Sequence, residues 1–423
     1  MSPAPTPRVV LASVGSRGDV QPMLALAQAL AARGHVPVIA VPPNFEPWVK
    51  ALGFEFAPLG ADMQVFLAEN ADLLTSNQAK ALRGTAHYFS HQIPLQAQQL
   101  RSICRGADAL LWSGLAFVAP SVAEHLRLPS LGVLYSTCMV PSGLHPPPTF
   151  PWHGLPNWVN HFFWRIQRLV ASRIIGAPLN AQRVAMGLPP VGLHQHLFRD
   201  SQFVIAVDEA LFPPDPSWGR RFPYANYIAF DDPEPLDPDL VAWLANGEPP
   251  VFVGFGSMSG HGTDRIEQMI VEAVSATGRR CIVGAGWAGL GEGHLPPGWR
   301  VVSEAPHAKL FPRVAAVVHH GGSGTTASAL RAGVAQVILP LFLDQYHHAH
   351  RLFVAGIAPR PVPMERITAP ELTQAIQAAL ALPQGPRMAA AGRLRASDAC
   401  ADIARRLETR LQAAGLHPAR PGA

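Results

Sequence analysis

The chain has 423 residues, 48% of them hydrophobic and 15% charged, with a formal net charge of +4 and a pI near 9.1. This length exceeds one ordinary hydrophobic core, so we expect two globular domains, and the composition excludes a disordered or fibrous protein. The basic residues are scattered rather than clustered, which argues against a nucleic-acid partner and suits anionic small molecules or an anionic membrane surface.

Cysteine usage and the N-terminal sequence favour the cytoplasm. The four cysteines share no metal or redox spacing and lie in apolar segments, as free thiols do in a reducing compartment. The apolar run near the N-terminus is too short for the core of a secretory signal, and no stretch is long and apolar enough to span a bilayer. We therefore expect a cytoplasmic protein, with peripheral contact to the inner face of the membrane as an alternative and the oligomeric state open.

The first half of the sequence predicts a parallel sheet. An apolar run at 9–14 leads through a glycine-containing loop at 15–19 into an amphipathic helix that ends at Gly34, and a second apolar run follows at 36–41. A strand, helix and strand in this order form a βαβ unit. Three later apolar runs predict further strands of the same sheet, at 109–112, 130–134 and 203–207.

The pattern restarts at Pro250, with a strand at 251–255, a glycine loop at 256–260 and an amphipathic helix that ends before Gly278. Four more apolar runs alternate with helical stretches, at 280–283, 299–302, 315–318 and 336–339. Both halves therefore predict doubly wound α/β domains. Ligands of such sheets bind beyond the carboxyl ends of the strands, so we expect a cleft between the domains.

The domain boundaries follow from a proline-rich, acidic segment around residues 231–239 that is typical of a linker. We place an N-terminal domain at 1–225, a linker at 226–249, a C-terminal domain at 250–385 and a C-terminal helix at 386–423. That helix is expected to pack back toward the N-terminal domain.

Two aromatic-rich inserts interrupt the alternation of strands and helices, at 59–100 and 141–173. Inserts of this kind often form the substrate side of a cleft, and extra core around loops is the alternative. The candidate acceptor-binding residues within them are Phe66, Tyr88, Phe89 and Trp152.

The loop at 319–326 has the features of a phosphate-binding helix N-terminus. It joins a predicted buried strand to a helix that ends at Gly333, and its glycines leave backbone amides unobstructed. Because a helix N-terminus carries unpaired N–H donors and a partial positive charge, it can bind a diphosphate without a metal. A purely structural turn is the alternative. The candidate diphosphate-binding residues here are His320, Gly322, Ser323, Gly324 and Thr325.

The motifs around this loop resemble the donor-binding signature of nucleotide-sugar-dependent glycosyltransferases, which include plant and animal glucosyl- and glucuronosyltransferases. The resemblance rests on Ala305-Pro306-His307, His320-Gly321-Gly322, Gly333-Val334, Pro340 and Asp344-Gln345. The segments at 15–22 and 254–258 are similar to the branch of sterol glucosyltransferases and of bacterial enzymes that modify antibiotics and lipids. The resemblance covers nearly the whole chain and is weak through residues 60–200.

The resemblance implies the GT-B fold, in which two Rossmann-like domains face each other across a cleft. It also implies inversion at the anomeric carbon, no metal and no cofactor beside the nucleotide-sugar co-substrate. By position it assigns Ser257 to the diphosphate, Asp344 and Gln345 to the sugar, and Ala305 and His307 to the nucleotide. Asp344 as a helix N-cap stays open.

Glu304 stands where many relatives carry a tryptophan that stacks on the nucleotide base. The choice between uridine and thymidine therefore stays open.

Asp19 is the candidate catalytic base. An inverting transfer needs a base for the acceptor hydroxyl, and this loop has no histidine, which many relatives use there. Burial in a closed cleft would raise the pKa of a carboxylate into a useful range. A cap for the following helix is the alternative, although Pro22 at the first helical position would leave Asp19 in the loop.

Two constellations that suggest metals are set aside. His347, His348 and His350 lack a nearby carboxylate or cysteine that would complete a ligand set. The Asp237-Pro238-Asp239 run lies in the linker rather than after a buried strand.

The sequence thus predicts transfer of a hexose, foremost glucose, from UDP-glucose or another UDP-sugar to a hydroxyl of a lipophilic acceptor such as a sterol-like lipid or natural product. A dTDP-deoxysugar transferase and a catalytically silent helper protein are the alternatives. A membrane-associated protein that uses an interfacial helix with Trp158, Phe162, Trp164, Arg165 and Arg168 is a further alternative, compatible with catalysis.

Overall fold

The computed structural model describes residues 6–62, 78–198, 202–256, 263–286, 295–303 and 305–415. Its strands are β1 (Arg8–Val14), β2 (Val36–Val41), β3 (Glu55–Pro58), β4 (Ala109–Gly114), β5 (Ser130–Leu134), β6 (Phe203–Ile205), β7 (Val251–Gly254), β8 (Cys281–Gly284), β9 (Arg300–Val302), β10 (Ala316–His319) and β11 (Ala335–Ile338). The predicted strands are therefore present, with ends shifted by one or two residues.

Helices lie between and after these strands. They are α1 (Arg17–Ala32), α2 (Glu46–Ala51), α3 (Gln78–Ile103), α4 (Ala119–Leu126), α5 (Asn157–Ala171), α6 (Ala177–Ala185), α7 (Leu193–Leu197), α8 (Pro238–Ala245), α9 (Thr263–Ala276), α10 (His307–Leu310), α11 (Ser323–Ala332), α12 (Gln345–Val354), α13 (Ala369–Ala381), α14 (Gln384–Ala396) and α15 (Ala399–Ala413). A π-helical turn, Ser172–Gly176, joins α5 to α6. Within the described ranges, none of the helices is long and apolar enough to cross a membrane.

The N-terminal sheet is parallel and has the strand order β3-β2-β1-β4-β5-β6. In its register, Val10 pairs with Val38 on one side and with Leu110 on the other. Alternate residues of β1 enter different hydrophobic clusters, because both faces of the sheet are covered by helices. The strand order reverses between β1 and β4, so the loop after β1 lies at the switch point of the sheet.

The C-terminal sheet is also parallel, with the order β11-β10-β7-β8-β9. Here the order reverses between β7 and β10, and the loops after these two strands are the ones that carry the glycine-rich motifs. The predicted architecture of two doubly wound α/β domains is therefore confirmed. Each domain places a switch-point loop at the carboxyl ends of its strands.

The C-terminal helix α15 lies on the N-terminal domain. Leu407 and Leu411 of α15 share a buried cluster with Leu26 and Leu30 of α1. A bidentate ion pair joins the same two helices, in which Glu408 accepts from Arg33 Nε at 2.8 Å and from Arg33 Nη2 at 2.5 Å. The chain thus crosses back after the C-terminal domain, which ties the two halves together.

The linker contains helix α8, which packs on the C-terminal sheet through Leu240 and Leu244. Asp237 caps this helix, since its Oδ1 accepts hydrogen bonds from the amides of Asp239 at 2.8 Å and Leu240 at 3.0 Å. The Asp-Pro-Asp run is therefore a helix start.

We predict that Glu408→Gln lowers the free energy of unfolding by about 2 kcal/mol at pH 7, since it removes charge-assisted hydrogen bonds at a mostly buried site. The Arg33 hydrogen bond, aided by His35, lowers the pKa of Glu408 to about 2. The stabilisation is therefore fully present above the ordinary glutamate pKa and is lost as the pH falls toward 2. Urea unfolding at pH 7 and pH 3 measures both effects. Glu248→Gln is the control, because Glu248 is 86% exposed, and an equal loss there would contradict the assignment.

Candidate active site

The N-terminus of α11 presents free backbone donors. Gly322 is its N-cap in an extended conformation, and no side chain caps the helix. The first amide with a helical partner belongs to Thr326, which donates to the Gly322 carbonyl at 3.0 Å. The amides of Ser323, Gly324 and Thr325 therefore lack helical acceptors, and together with the helix dipole they form an anion-binding turn.

Two buried histidines hold this turn in shape. The Gly321 amide donates to His319 Nδ1 at 3.1 Å, so the ring proton is on Nε2 and donates to Gln336 Oε1 at 3.0 Å. His348 Nδ1 donates to the Gly321 carbonyl at 2.9 Å. Gly321 has a φ of +90°, and a Cβ there would lie 2.7 Å from the Ile338 Cγ2 atom, so only glycine fits.

His320 lies over the turn that His319 supports. A Cβ on Gly322 would lie 2.4 Å from His320 Nε2, which shows how closely the ring covers the turn. Burial lowers the pKa of His320 to about 4, so the ring is neutral at pH 7 and can donate one N–H to an anion. Among the described residues, His320 Nδ1 has no hydrogen-bond partner.

Ser323 has a role that the sequence did not predict. Its hydroxyl donates to the Tyr135 carbonyl at 3.0 Å, across the two domains, so only its amide is free for an anion in this arrangement. Tyr135 directly follows β5, and a polar residue at the carboxyl end of a strand was the signal that could have identified it. Two predicted contacts, Ser257 and Phe66, lie outside the described residues, as does Glu304.

Asp344 and Gln345 lie at the start of α12. Asp344 occupies the N-cap position, as the alternative expected, but its carboxylate forms no cap hydrogen bond. Its Oδ2 lies 3.9 Å from His348 Nε2. Gln345 Oε1 accepts from the amides of Leu341 at 2.9 Å and Phe342 at 3.3 Å, contacts that do not use its amide nitrogen.

Helix α1 begins earlier than predicted. Ser16 is the N-cap and Asp19 is the third helical residue, so the expectation that Pro22 begins the helix and leaves Asp19 in the loop is wrong. Asp19 Oδ2 accepts from the Ser16 amide at 2.8 Å and from the Ser16 hydroxyl at 3.3 Å. This Ser-x-x-Asp capping box stabilises the helix start, and Pro22 is accommodated inside the helix. Asp19 therefore does contribute to capping.

The other carboxylate oxygen of Asp19 remains available. Oδ1 lies beside Gly114, where a Cβ would approach it to 3.2 Å. The Asp19 carbonyl accepts from the Ser13 hydroxyl at 3.2 Å and from the Tyr135 hydroxyl at 3.4 Å, which fixes the residue. Burial, together with the charge of Asp344, raises the pKa of Asp19 to about 6 against the lowering effect of the Ser16 hydrogen bonds. Asp19 and Asp344 thus interact across the domains.

His307 and Ala305, the predicted nucleotide contacts, lie at the start of α10. The His307 ring stacks on Phe311 with a centroid distance of 4.3 Å and meets the edge of Phe252 at 5.8 Å. Burial, together with the nearby Arg17 and His320 side chains, lowers the pKa of His307 to about 4. His307 is thus held between two phenylalanine rings and lies near His320.

Arg17 is a charged residue near the site that the sequence analysis did not single out. Its guanidinium lies 4.2 Å from the centroid of the Trp48 ring. Besides burial, the charge of Arg17 lowers the pKa of His307, which shows that a cation of the N-terminal domain lies near the anion-binding turn. The signal was its place in the same loop as Asp19.

The predicted acceptor residues occupy different surroundings. Tyr88 is buried, and burial together with the charge of Asp19 raises its pKa to about 12, so Tyr88 lies near the candidate base. Phe89 is buried in the core, with its ring 5.6 Å from that of Phe117. Trp152 is 54% exposed and lies 5.7 Å from the Phe163 ring in the second insert. Of these, Tyr88 has the position that suits an acceptor contact.

Comparison with known proteins agrees with this geometry. The glycosyltransferase family 28 N-terminal domain matches residues 9–136, and the C-terminal domain of the erythromycin biosynthesis protein CIII-like family matches residues 273–410. The chain is 35% identical over 356 residues to glycosyltransferase GtfE of Amycolatopsis orientalis, which covers 83% of this chain and 85% of the relative. The chain belongs to this glycosyltransferase family.

The transferase is also similar to the sterol 3-beta-glucosyltransferase UGT80A2 of Arabidopsis thaliana, at 29% identity over 88% of this chain and 60% of the relative. Vancomycin aglycone glucosyltransferase of Amycolatopsis orientalis is 33% identical over 83% of this chain and 84% of its own. Among solved structures, the calicheamicin glycosyltransferase CalG4 superposes with a TM-score of 0.72 at 16% identity, over 96% of this chain and 98% of that one. The family resemblance and the GT-B fold predicted from the sequence are confirmed.

In the transferase, the first turns of α1 and α11 line one cavity of about 410 Å³ between the domains. Gly18 and Gln21 contribute from the N-terminal side, and Gly324, Ser328 and Arg331 from the C-terminal side. Of the predicted site residues within the described ranges, Gly324 alone lines this cavity.

The histidines of α12 have structural partners in place of a metal. His347 Nε2 is 2.9 Å from the Thr137 hydroxyl, and His348 bonds the Gly321 carbonyl. Across the part of the chain that the structure describes, no group of His, Cys, Asp or Glu has a metal-binding arrangement.

We predict that Gly321→Ala lowers the free energy of unfolding of the transferase by about 2–4 kcal/mol, since the new methyl group overlaps Ile338 at a positive φ. Gly324→Ala is the matched control, because nothing lies within 4 Å of its added Cβ and alanine favours a helix. Urea unfolding of both variants measures the difference, and an equal stability would contradict the steric assignment.

Proposed function

We propose that this glycosyltransferase moves a hexose, foremost glucose, from a UDP-sugar to a hydroxyl of a lipophilic acceptor, with inversion and without a metal. The observation that carries the proposal is that three groups approach one another where the two domains meet. They are the free amides at the start of α11 with neutral His320, the Asp344 carboxylate, and Asp19 with a raised pKa.

The leaving diphosphate would be bound by the α11 turn. Its negative charge grows as the bond to the sugar breaks, and fixed amide dipoles stabilise that charge without reorganisation. His320 adds one N–H donor, and because it is neutral it needs no counter-charge in its buried position. Arg17 would bring a positive charge toward the same region from the N-terminal domain.

Asp19 would take the proton of the acceptor hydroxyl. With a pKa near 6 it is largely ionised at neutral pH and is a stronger base than an ordinary solvated carboxylate. Its Oδ2 is anchored by Ser16, so Oδ1 is the oxygen that would receive the proton. Asp344, together with the Gln345 amide nitrogen, would bind the sugar hydroxyls on the opposite side of the cleft.

The lipophilic acceptor is supported by the relatives, which include sterol and antibiotic-aglycone glucosyltransferases by name. Thymidine diphosphate is the second candidate nucleotide, since the fold neighbour spinosyn rhamnosyltransferase SpnG was solved with it. The deoxysugar alternative therefore belongs in the same test.

A donor panel with product detection by mass spectrometry tests the proposed function. We expect UDP-glucose to add a hexose to a sterol or another hydrophobic alcohol, with an inverted anomeric configuration by NMR. Turnover with thymidine diphosphate deoxysugars but not with UDP-hexoses would overturn the choice of donor. Failure of every nucleotide-sugar to bind in calorimetry would overturn the catalytic assignment.

We expect Asp19→Asn to lower kcat by at least about 100-fold while donor binding is kept, since a general base typically contributes that much or more. For the unmodified enzyme, kcat/KM should rise with pH up to about 6 and then level off, because the ionised form of Asp19 is the active one. Asp239→Asn, at the exposed start of α8, is the control. Full turnover by Asp19→Asn would remove Asp19 from this role.

A further inference from the structure

Helix α5 is attached to the molecule by one face. On that face the buried Asn160 donates to the Gly143 carbonyl at 2.8 Å, and the Trp164 indole donates to the His145 carbonyl at 3.0 Å. Phe163 stacks on Phe150 with ring centroids 4.3 Å apart. Because these contacts fix the rotation of the helix, the residues on its other side face outward by construction. Trp164 is therefore not part of that outer side.

The outer side of α5 is apolar and exposed. Trp158 is 73% exposed, Phe162 55%, Ile166 36% and Leu169 61%, at spacings of four, four and three residues that keep them on one stripe. We name these four residues the α5 face. Soluble proteins seldom leave aromatic side chains exposed along a continuous stripe, and such a stripe marks a binding surface.

Among the described residues 125–198, which carry the α5 face, the charged side chains have one sign. No Asp or Glu occurs between Glu124 and Asp200, whereas the exposed Arg165, Arg168 and Arg173 lie on or directly after α5. Asp215 contacts the insert but is 6% exposed, and its carboxylate is bound by the Ser142 hydroxyl and the Gly143 amide. The surface around the stripe is therefore complementary to a negatively charged partner.

We propose that the α5 face docks on an anionic lipid bilayer, with α5 parallel to the membrane surface. Trp158 and Phe162 would enter the interfacial region, where amphipathic aromatic rings are favoured, and the arginines would extend their charged ends to lipid phosphates. A second copy of the chain fits less well. A two-fold pair of α5 faces would bring together two helices that each carry Arg165 and Arg168, and residues 125–198 include no acidic side chain that could neutralise them.

The insert that carries the α5 face also contacts the C-terminal domain. The His145 ring lies 4.8 Å from that of His347, and His153 stacks on His350 at 4.6 Å, both on α12, which begins directly after Asp344. Membrane docking would therefore hold the cleft beside the bilayer, where a lipophilic acceptor is dissolved. This consequence rests on the proposed function, whereas the docking itself does not.

Cosedimentation of the full-length protein with vesicles tests the docking. We expect binding to vesicles of phosphatidylcholine that contain about 30% of the anionic lipid phosphatidylglycerol. Little binding is expected to vesicles of phosphatidylcholine alone. Arg165→Gln with Arg168→Gln should weaken the partition coefficient roughly 30-fold, at about five-fold for each charge removed. Trp158→Ser with Phe162→Ser should weaken it by at least about ten-fold. Val354→Ser with Met388→Ser, which also removes exposed apolar groups, should leave it unchanged.

Wild-type affinity in the Trp158→Ser and Phe162→Ser variant would overturn the proposal, as would absence of binding to anionic vesicles. A wild-type dimer in light scattering that this variant converts to a monomer would also overturn it, because a second copy would then cover the α5 face. Turnover of a water-soluble acceptor separates the two proposals. The variant should keep that turnover, so a variant that no longer docks but still turns over the acceptor supports the α5 face as the docking surface. An unmodified protein that docks on vesicles but shows no turnover would contradict only the proposed function.

Discussion

The site depends on keeping three backbone amides free at the start of α11. Amides at a helix N-terminus normally find a side-chain cap or water, and here Gly322 supplies no cap while His319 and His348 clamp Gly321 from both sides. The clamp uses ring nitrogens of two buried histidines and a glycine with a positive φ. Because the turn is rigid before an anion arrives, little ordering remains to oppose binding.

Asp19 likewise contributes both to the local fold and to the candidate site. One of its oxygens stabilises the start of α1, and the other takes no part in that cap. The two roles oppose each other, since the Ser16 hydrogen bonds lower its pKa while burial and Asp344 raise it. Burial is the larger effect, so the pKa of the carboxyl is raised to about 6 while the helix keeps its cap.

The sequence predicted the architecture well because buried parallel strands are continuous apolar runs and glycine-rich loops follow them. It missed β3, a short edge strand that ends in Pro58 and lacks a buried pattern. The predicted start of α1 was also wrong, because Pro22 is a stronger sequence signal for a helix start than the Ser16–Asp19 capping box. The role of His348 could not be predicted, because it arises from a contact with the backbone of a residue 27 positions away in the chain.

The hydrogen bond between Ser323 and Tyr135 has a thermodynamic consequence. The Ser323 hydroxyl has one proton, so it can donate to the Tyr135 carbonyl or to a phosphate oxygen, but not to both. An anion that accepts the hydrogen bond of the Ser323 hydroxyl breaks its bond to the Tyr135 carbonyl between the domains. By thermodynamic linkage, the domain arrangement must then change the affinity for the anion by the same factor. A neutral hydrogen bond contributes about 1 kcal/mol, so this coupling is worth roughly five-fold. Release of the spent nucleotide would thus be assisted by the re-formed contact.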